Sequence, residues 1–174
     1  MVEVVLRAVR VDVGSAAPLL LLEEVHGPRV LPIYIGAPEA TAIAYALQDV
    51  TAPRPMTHDL LGHVIEALHA RVFAVEVTEL VDNTYYASLR LLAHNDEVTV
   101  SARPSDAIAL ALRVGAPILV SDDLMAEAGR EIEVEDVMEV TVEDDEGTDE
   151  PSETELVEEL RAFLNTVKPE DFDS

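Results

Sequence analysis

Short apolar runs and alternating apolar positions predict a series of β-strands, each group followed by helices. The first group of predicted strands covers residues 2–12, 19–25 and 30–35, and a helix follows at 38–47 with Pro38 in its first turn. The same order then recurs, with strands at 71–81, 85–92 and 97–102, a helix at 104–113 that ends at Gly115, a short strand at 117–120 and a helix at 122–128. This pattern predicts one α+β domain whose sheet is largely antiparallel.

A further helix is predicted from Thr57, which is a suitable N-cap, to Leu68. Its apolar residues have helical spacing and predict the buried stripe of the helix: Leu60, Leu61, Val64, Ile65 and Leu68. At about 100° per residue, His58 lies at the edge of that stripe and Asp59 lies almost opposite it. We therefore expect the histidine at a core boundary and the carboxylate facing outward.

Two helical segments in the two halves of the chain are closely similar. Residues 42–47 read AIAYAL and residues 107–112 read AIALAL, so five of six positions match at an offset of 65. Together with the repeated order of elements, this predicts an internal duplication of two β3α2 units, at about residues 1–69 and 70–130. Chance similarity of two alanine-rich helices is the alternative explanation.

The last part of the chain has a different pattern. Valines at 134, 137, 140 and 142 predict a last strand or a packed extension, and residues 143–155 form an acidic linker. Leu156, Leu160, Phe163 and Leu164 then share one face of a predicted amphipathic helix, which we expect to dock on its own domain or on a neighbouring copy. The predicted organisation is a domain at residues 1–140 and an acidic tail at 141–174.

Composition narrows the class of protein. Apolar residues make up 49% of the chain, which is typical of a globular protein, and there is no cysteine, which excludes disulfides and thiolate metal sites. We expect a cytoplasmic protein without membrane contact, because the N-terminal residues lack a secretory signal and no apolar run approaches the ~18 residues of a membrane span.

The charge is strongly negative and unevenly distributed. Residues 1–130 hold 9 basic and 17 acidic side chains, whereas residues 131–174 hold 2 basic and 18 acidic ones, and the net charge of the chain is −24. Phosphate contacts dominate the affinity of proteins for nucleic acids, so this balance argues against tight binding over a long footprint. Tyr85 and Tyr86 face opposite sides of one predicted strand and do not form a platform for stacked bases.

Polar residues gather at three predicted helix N-termini. These residues are Glu39, the Thr57-His58-Asp59 set, and Ser105 with Asp106. Two of these N-termini have an arginine–proline pair beside them, Arg54-Pro55 and Arg103-Pro104. Helix N-termini favour phosphate, and arginine binds phosphate in a bidentate manner. We therefore expect Arg54 and Arg103 to hold a scissile phosphate and His58 to act as general acid or base.

The carboxylates of this cluster have two predicted uses. Asp59, Asp106 and Glu39 either orient His58 or hold a divalent ion, for which Mg²⁺ or Mn²⁺ suits oxygen ligands. No phosphate-loop, dinucleotide or zinc-protease motif is present, so no organic cofactor is predicted.

Three stretches carry a resemblance to a known family. PRPMTHDLL from residue 53, LPIYIGAPEATAIAYAL at 31–47 and SARPSDAIALALRVGAPILV at 101–120 resemble the bifunctional nuclease family, also catalogued as a domain of unknown function, over residues 1–130. The resemblance implies a repeated β3α2 unit around one barrel-like sheet and action on both RNA and DNA with low sequence selectivity. Water would then be the nucleophile, because DNA has no 2′-hydroxyl, and this favours a metal or a histidine-activated water. The family motif covers the proposed site residues and also Thr57 and Ser105.

Structural explanations of the same residues stay open. Asp59 and Asp106 are suited to pair with the helix dipoles alone, the two arginines to pair with those carboxylates, and His58 to be a hydrogen-bonded residue at the core edge. Exposed sheet edges and alanine-rich helices predict a homodimer or a higher homo-oligomer. The alternative to a nuclease is therefore a non-enzymatic oligomeric interaction or regulatory module, whose acidic tail binds protein partners or inhibits its own domain.

Overall fold

The computed structural model describes residues 1–12 and 15–131 and the backbone of residues 137–139. It contains the strands β1 (Val2–Asp12), β2 (Pro18–Glu24), β3 (Val30–Tyr34), β4 (Ala70–Val81), β5 (Thr84–Ala93), β6 (Asp96–Ala102), β7 (Ile118–Val120) and β8 (Val137–Glu139). The helices are α1 (Ala37–Leu47), α2 (Thr57–Ala67), α3 (Pro104–Val114) and α4 (Asp122–Ala128). The predicted α+β class is confirmed, and the predicted elements agree with the observed ones to within a residue or two at each end.

Seven strands form one sheet in the order β3-β2-β1-β7-β4-β5-β6, and β8 pairs with the end of β1. Among the described strand pairs only β4 and β7 are parallel, so the prediction of a largely antiparallel sheet is confirmed. Strand β7 lies between β1 and β4, with Val120 opposite both Val2 and Val77. One short strand from late in the chain thus joins the strands of the two halves.

The predicted barrel-like sheet is wrong in one respect, because the sheet is not closed. Closure requires the two edge strands to pair, but among the described strands β6 pairs with β5 alone and β3 pairs with β2. Part of the free edge of β3 is taken by the segment after α4, where Val30 and Arg130 exchange two backbone hydrogen bonds of 2.8 and 2.9 Å. The sheet still curls, since the Tyr85 hydroxyl on β5 donates to the Pro32 carbonyl on β3 at 3.2 Å.

Helices α1 and α3 contact each other and bury their small residues in the core. Alanine side chains allow the backbones to approach closely, and Ala44, Ala107 and Ala109 are at most 1% exposed. Gly115 ends α3 at a φ of +67°, and the Ser121 hydroxyl caps α4 by accepting from the Leu124 N–H at 3.2 Å. The predicted end of α3 at Gly115 is confirmed.

Helix α2 is turned about its axis relative to the orientation predicted from its periodicity, and of the predicted buried stripe Ile65 packs against the core. Four residues of the predicted buried stripe are 39–64% exposed, namely Leu60, Leu61, Val64 and Leu68. The side that faces the protein carries Gly62, where a Cβ would lie 3.4 Å from the Val114 side chain of α3. The prediction failed because His58 and Asp59 have partners on α3, which turn the polar side inward.

The start of α2 also differs from the prediction. Met56 is the N-cap and Thr57 is the first helical residue. Asp59 lies in the first turn and accepts a hydrogen bond of 2.9 Å from the Met56 N–H. A carboxylate inside the helix thus supplies the cap that was expected from the threonine.

The order of elements does not by itself test the predicted duplication, since β7 separates the two helices of the second half and has no equivalent between α1 and α2. The duplication stays a prediction. Strand β8 supplies part of the predicted last strand, and the acidic linker and amphipathic helix lie outside the described residues. None of the helices among the described residues is long and apolar enough to cross a membrane.

Candidate active site

The first turns of three helices meet around one arginine. Glu39 lies in the first turn of α1, His58 in that of α2 and Asp106 in that of α3, and Arg103 is the N-cap residue of α3. Each helix begins here because a proline or an acidic side chain suits the first turn, where the backbone N–H groups have no partner within the helix. The sequence therefore delivers three polar side chains to a single place.

Arg103 binds two carboxylates. Its Nε and Nη2 atoms lie 2.7 and 3.1 Å from the two oxygens of Asp106, and its Nη1 atom lies 3.1 Å from Glu39 Oε1. The Arg103 side chain is 66% exposed, so the guanidinium remains open to solvent. A predicted structural explanation, the pairing of the arginine with these carboxylates, is thus observed for Arg103.

His58 is linked to the same cluster through Asp106. Its Nε2 atom lies 3.3 Å from Asp106 Oδ1, and its side chain is 14% exposed. The hydrogen bond from Arg103, opposed by partial burial and assisted by His58, lowers the pKa of the Asp106 carboxyl. Asp106 is therefore ionised near neutral pH and can only accept hydrogen bonds, so Nε2 of a neutral His58 carries the proton and Nδ1 has the free lone pair.

Asp59 belongs to a separate ion pair. Arg113, near the end of α3, places its Nε atom 2.5 Å from Asp59 Oδ1 and donates to the carbonyls of Ala109 and Ala42 at 2.9 and 3.0 Å. Burial raises the pKa of Asp59, but the Met56 N–H and the Arg113 guanidinium outweigh it, and the net pKa is lowered. Asp59 thus ties α2 to α3, and the expectation that it faces outward is wrong.

Sequence reasoning missed Arg113. Its only signal was a cation in the last turn of an alanine-rich helix, where it also suits the helix dipole. Arg54, in contrast, is exposed, and it makes no ion pair with the residues that the structure describes. The two predicted phosphate-binding arginines are therefore not brought together by a shared contact.

Two cavities flank the cluster. The larger has a volume of about 700 Å³ and is lined by His58, Asp59 and Arg113 together with His63 and Arg71. The smaller has a volume of about 480 Å³ and is lined by Glu39 and Arg103, and by Ser105, Tyr34 and Tyr85. The contacts from Arg103 through Asp106 to His58 thus run from one cavity to the other.

The carboxylates of this cluster do not fit a divalent ion in this arrangement. Within the described part of the chain, no three His, Asp or Glu side chains are placed to share a metal ion. Glu39 and Asp106 flank the Arg103 guanidinium, which occupies the position that a cation between them would need. An ion bound by these two carboxylates would have to displace Arg103.

Comparisons with known proteins agree on one family, that of the bifunctional nuclease domain. The model of the bifunctional nuclease domain matches residues 20–133. An uncharacterised protein of Mycobacterium tuberculosis is 43% identical over 170 residues, which cover 98% of this chain and 97% of that protein. Bifunctional nuclease 1 of Oryza sativa subsp. japonica is 34% identical over 95 residues, which cover 53% of this chain. Bifunctional nuclease 2 of Arabidopsis thaliana is 29% identical over 120 residues, which cover 67% of this chain. The matched regions cover 29% and 36% of these plant proteins.

Proposed function

Since the chain belongs to the bifunctional nuclease domain family, as its sequence motifs indicated, we propose that it hydrolyses phosphodiester bonds of RNA and DNA with low sequence selectivity. One observation supports the proposal most directly. The side chains of Glu39, Arg103, Asp106 and His58 form a continuous set of contacts, none longer than 3.3 Å, at three helix N-termini. This combines an exposed cation for a phosphate with a histidine whose proton is fixed by a carboxylate.

Arg103 is the phosphate-binding group of this proposal. Its guanidinium is exposed and lies at the N-terminus of α3, where the Ser105 and Asp106 N–H groups have no partner within the helix. Two neighbouring carboxylates offset its charge, so a bound phosphodiester gains less than it would from a free arginine. The proposal therefore predicts weak binding and a site that relies on positioning.

His58 is the general base. Because Asp106 fixes the proton on Nε2, the Nδ1 atom takes a proton from a water molecule, and that water attacks the phosphorus atom. A bond forms between phosphorus and the water oxygen, the bond to the leaving sugar oxygen breaks, and the leaving oxygen takes up a proton from the imidazolium or from solvent. A 2′-hydroxyl has no part in this step, so it applies equally to RNA and DNA.

Neither Arg54 nor a divalent metal ion has a step in this mechanism. Arg54 lies in the loop before α2 and makes no ion pair with the described residues, so the contacts of the cluster do not position it beside Arg103. Mg²⁺ or Mn²⁺ would have to displace Arg103 from Glu39 and Asp106, so no step is assigned to an ion. Chelation and addition of each ion test this directly.

The experiment is cleavage of fluorescent single-stranded RNA and DNA by the purified protein, with EDTA, with Mg²⁺ and with Mn²⁺. We expect His58→Ala to lower the rate about 10²- to 10⁴-fold, as for loss of a general base. His63→Ala is the matched control, because His63 is exposed and lines the larger cavity without contacting Asp106. A folded His58→Ala variant that cleaves at the same rate as the wild type would refute the assignment of His58 as general base.

A second candidate function is an oligomeric interaction module. It is favoured by the exposed apolar side of α2 and by the net charge of −24, which repels nucleic acids. Sedimentation of the wild type and of Leu60→Lys with Leu61→Lys tests it. An oligomer that dissociates in the double variant, in a protein without cleavage activity, would favour the module over the nuclease.

A further inference from the structure

The smaller cavity brings together side chains from three separate stretches of the chain. Tyr34 comes from the end of β3, Asn83 from the β4–β5 turn, Tyr85 from the start of β5, and Glu39 and Arg103 from the starts of α1 and α3. We propose that this cavity binds one unpaired nucleotide of a single-stranded nucleic acid, with its base against Tyr34 and its phosphate at Arg103. The inference rests on the proposed function and names the part of the substrate that this side of the site recognises.

Tyr34 has the exposure expected of a surface for stacking. Its side chain is at the open end of β3 and is 60% exposed, whereas Leu31 and Ile33 of the same strand are 0% and 3% exposed. Its hydroxyl lies 3.4 Å from Asp12 Oδ2, at the long limit of a hydrogen bond. The ring therefore presents an open aromatic face in the same cavity as the exposed guanidinium, which is the combination that binds single strands without sequence preference.

Asn83 is suited to meet the edge of a base. Asp82 and Asn83 have φ values of +48° and +60°, as in the tight two-residue turn of a hairpin, and this conformation places Asn83 in the wall of the cavity. Its side-chain amide both donates and accepts hydrogen bonds, so it can pair with the edge of any of the bases. The cavity therefore selects for an unpaired base and not for a particular one.

Most of the binding energy should come from the base and little from the phosphate, because carboxylates offset the positive charge of Arg103. Glu39 and Asp106 hold the same guanidinium at 3.1 and 2.7 Å, so Arg103 neutralises at most one phosphate. Because at most one phosphate of a single strand is neutralised, the logarithm of the binding constant should fall with the logarithm of the salt concentration with a slope no steeper than about −0.7. A duplex stacks both faces of each base, so Tyr34 has no free base to contact and duplex binding should be weaker.

Binding is measured by fluorescence anisotropy with a labelled ten-nucleotide phosphorothioate oligothymidylate, which resists cleavage, and with the corresponding duplex. We expect Tyr34→Ala to weaken single-strand binding about 5- to 150-fold and Tyr34→Phe to retain it, because one stacked base contributes on the order of 1–3 kcal/mol. Tyr86→Ala is the matched control. Tyr86 follows Tyr85 in β5 and is 43% exposed, but it does not line the cavity.

Each outcome of this series decides for or against the inference. Single-strand binding that is unchanged in Tyr34→Ala, lost equally in Tyr86→Ala, or no tighter than duplex binding would overturn it. Loss in a folded Tyr34→Ala variant, with retention in Tyr34→Phe, would support it. Cleavage of ordinary oligonucleotides is scored separately, so a protein that binds through Tyr34 without cleaving would refute the hydrolysis and leave the nucleotide site.

Discussion

Replacing Arg113 by methionine should loosen the contact among three helices. Arg113 is 12% exposed, and its guanidinium joins Asp59 of α2 to the Ala42 carbonyl of α1 and the Ala109 carbonyl of its own helix. Methionine retains an apolar stem of similar length but makes none of these hydrogen bonds. The change therefore isolates the polar contacts of the side chain.

The expected cost follows from the three hydrogen bonds. A hydrogen bond to a charged group contributes about 1.5–3 kcal/mol, and bonds to backbone carbonyls contribute about 1 kcal/mol each. Asp59 is 33% exposed and keeps its bond to the Met56 N–H, so water compensates part of the loss. We expect the free energy of unfolding to fall by about 2–3 kcal/mol, which corresponds to a fall in Tm of roughly 5–10 °C for a chain of this size.

Urea denaturation of wild type, Arg113→Met, Asp59→Asn and the double variant gives both the cost and the coupling. Because the two side chains are in direct contact, the costs should fail to add by about 0.5–3 kcal/mol. Arg7→Met is the control, since the Arg7–Glu23 pair spans 3.0 Å but its side chains are 73% and 37% exposed, and we expect a change below about 0.5 kcal/mol. A cost for Arg113→Met as small as that of the control, or full additivity with Asp59→Asn, would refute the reasoning.

Four further predictions concern other parts of the molecule. Because the pKa of Asp106 is lowered in the folded protein, its contribution to stability is present above the unfolded pKa of ~3.9 and is lost as the pH falls through the folded pKa. The difference in free energy of unfolding between wild type and Asp106→Asn, measured by urea titration, should therefore shrink below about pH 4. A difference that stays constant with pH would contradict the ion pair. Deleting residues 143–174 removes 13 acidic and 2 basic side chains, so association with single strands should be faster at low salt, and an unchanged stopped-flow rate would count against electrostatic repulsion by the tail. Leu60→Lys should change the free energy of unfolding by less than about 0.5 kcal/mol, whereas Ile108→Ala in the core should cost about 2–5 kcal/mol; comparable costs would show that Leu60 is buried. His69→Gly should raise the Tm, because His69 has a φ of +57° and glycine removes about 1 kcal/mol of backbone strain; a lower Tm would assign another role to the imidazole.

The strands and helices were predictable because their signals are local. Turn residues mark the hairpins, and the positive φ values of Asp82, Asn83, His94 and Asn95 match the residue types that tolerate this conformation best. Gly115 and Ser121 likewise mark helix ends through their own side chains or lack of one. Such signals need no knowledge of what the element will pack against.

The orientation of α2 was not predictable in the same way. Periodicity shows that Leu60, Val64 and Leu68 share one side of the helix, but it does not show whether that side faces the protein. His58 and Asp59 decide the matter through partners 48 and 54 residues further along the chain. Those contacts exist only once α3 lies beside α2.

The same distinction applies to the candidate site. The gathering of polar residues at helix N-termini was visible in the sequence, and the fold links Glu39 and Asp106 through Arg103 and joins His58 to Asp106. The shared cavity of Tyr34 and Tyr85 was not visible, because the two residues come from different halves and are joined only by the curl of the sheet. The role of Arg113 was missed for the same reason.

The position of β7 has a consequence for the synthesis of the chain on the ribosome. Val2 is synthesised long before Val120, its partner across one edge of β1. At ~5–20 residues per second, this edge waits roughly 6–24 s for its partner, while β2 becomes available on the other edge much sooner. During that interval one edge of β1, which is rich in valine, stays unpaired in the nascent chain. Ribosome-associated chaperones and the rate of translation between Leu68 and Val120 should therefore influence the yield of folded protein more than its final stability.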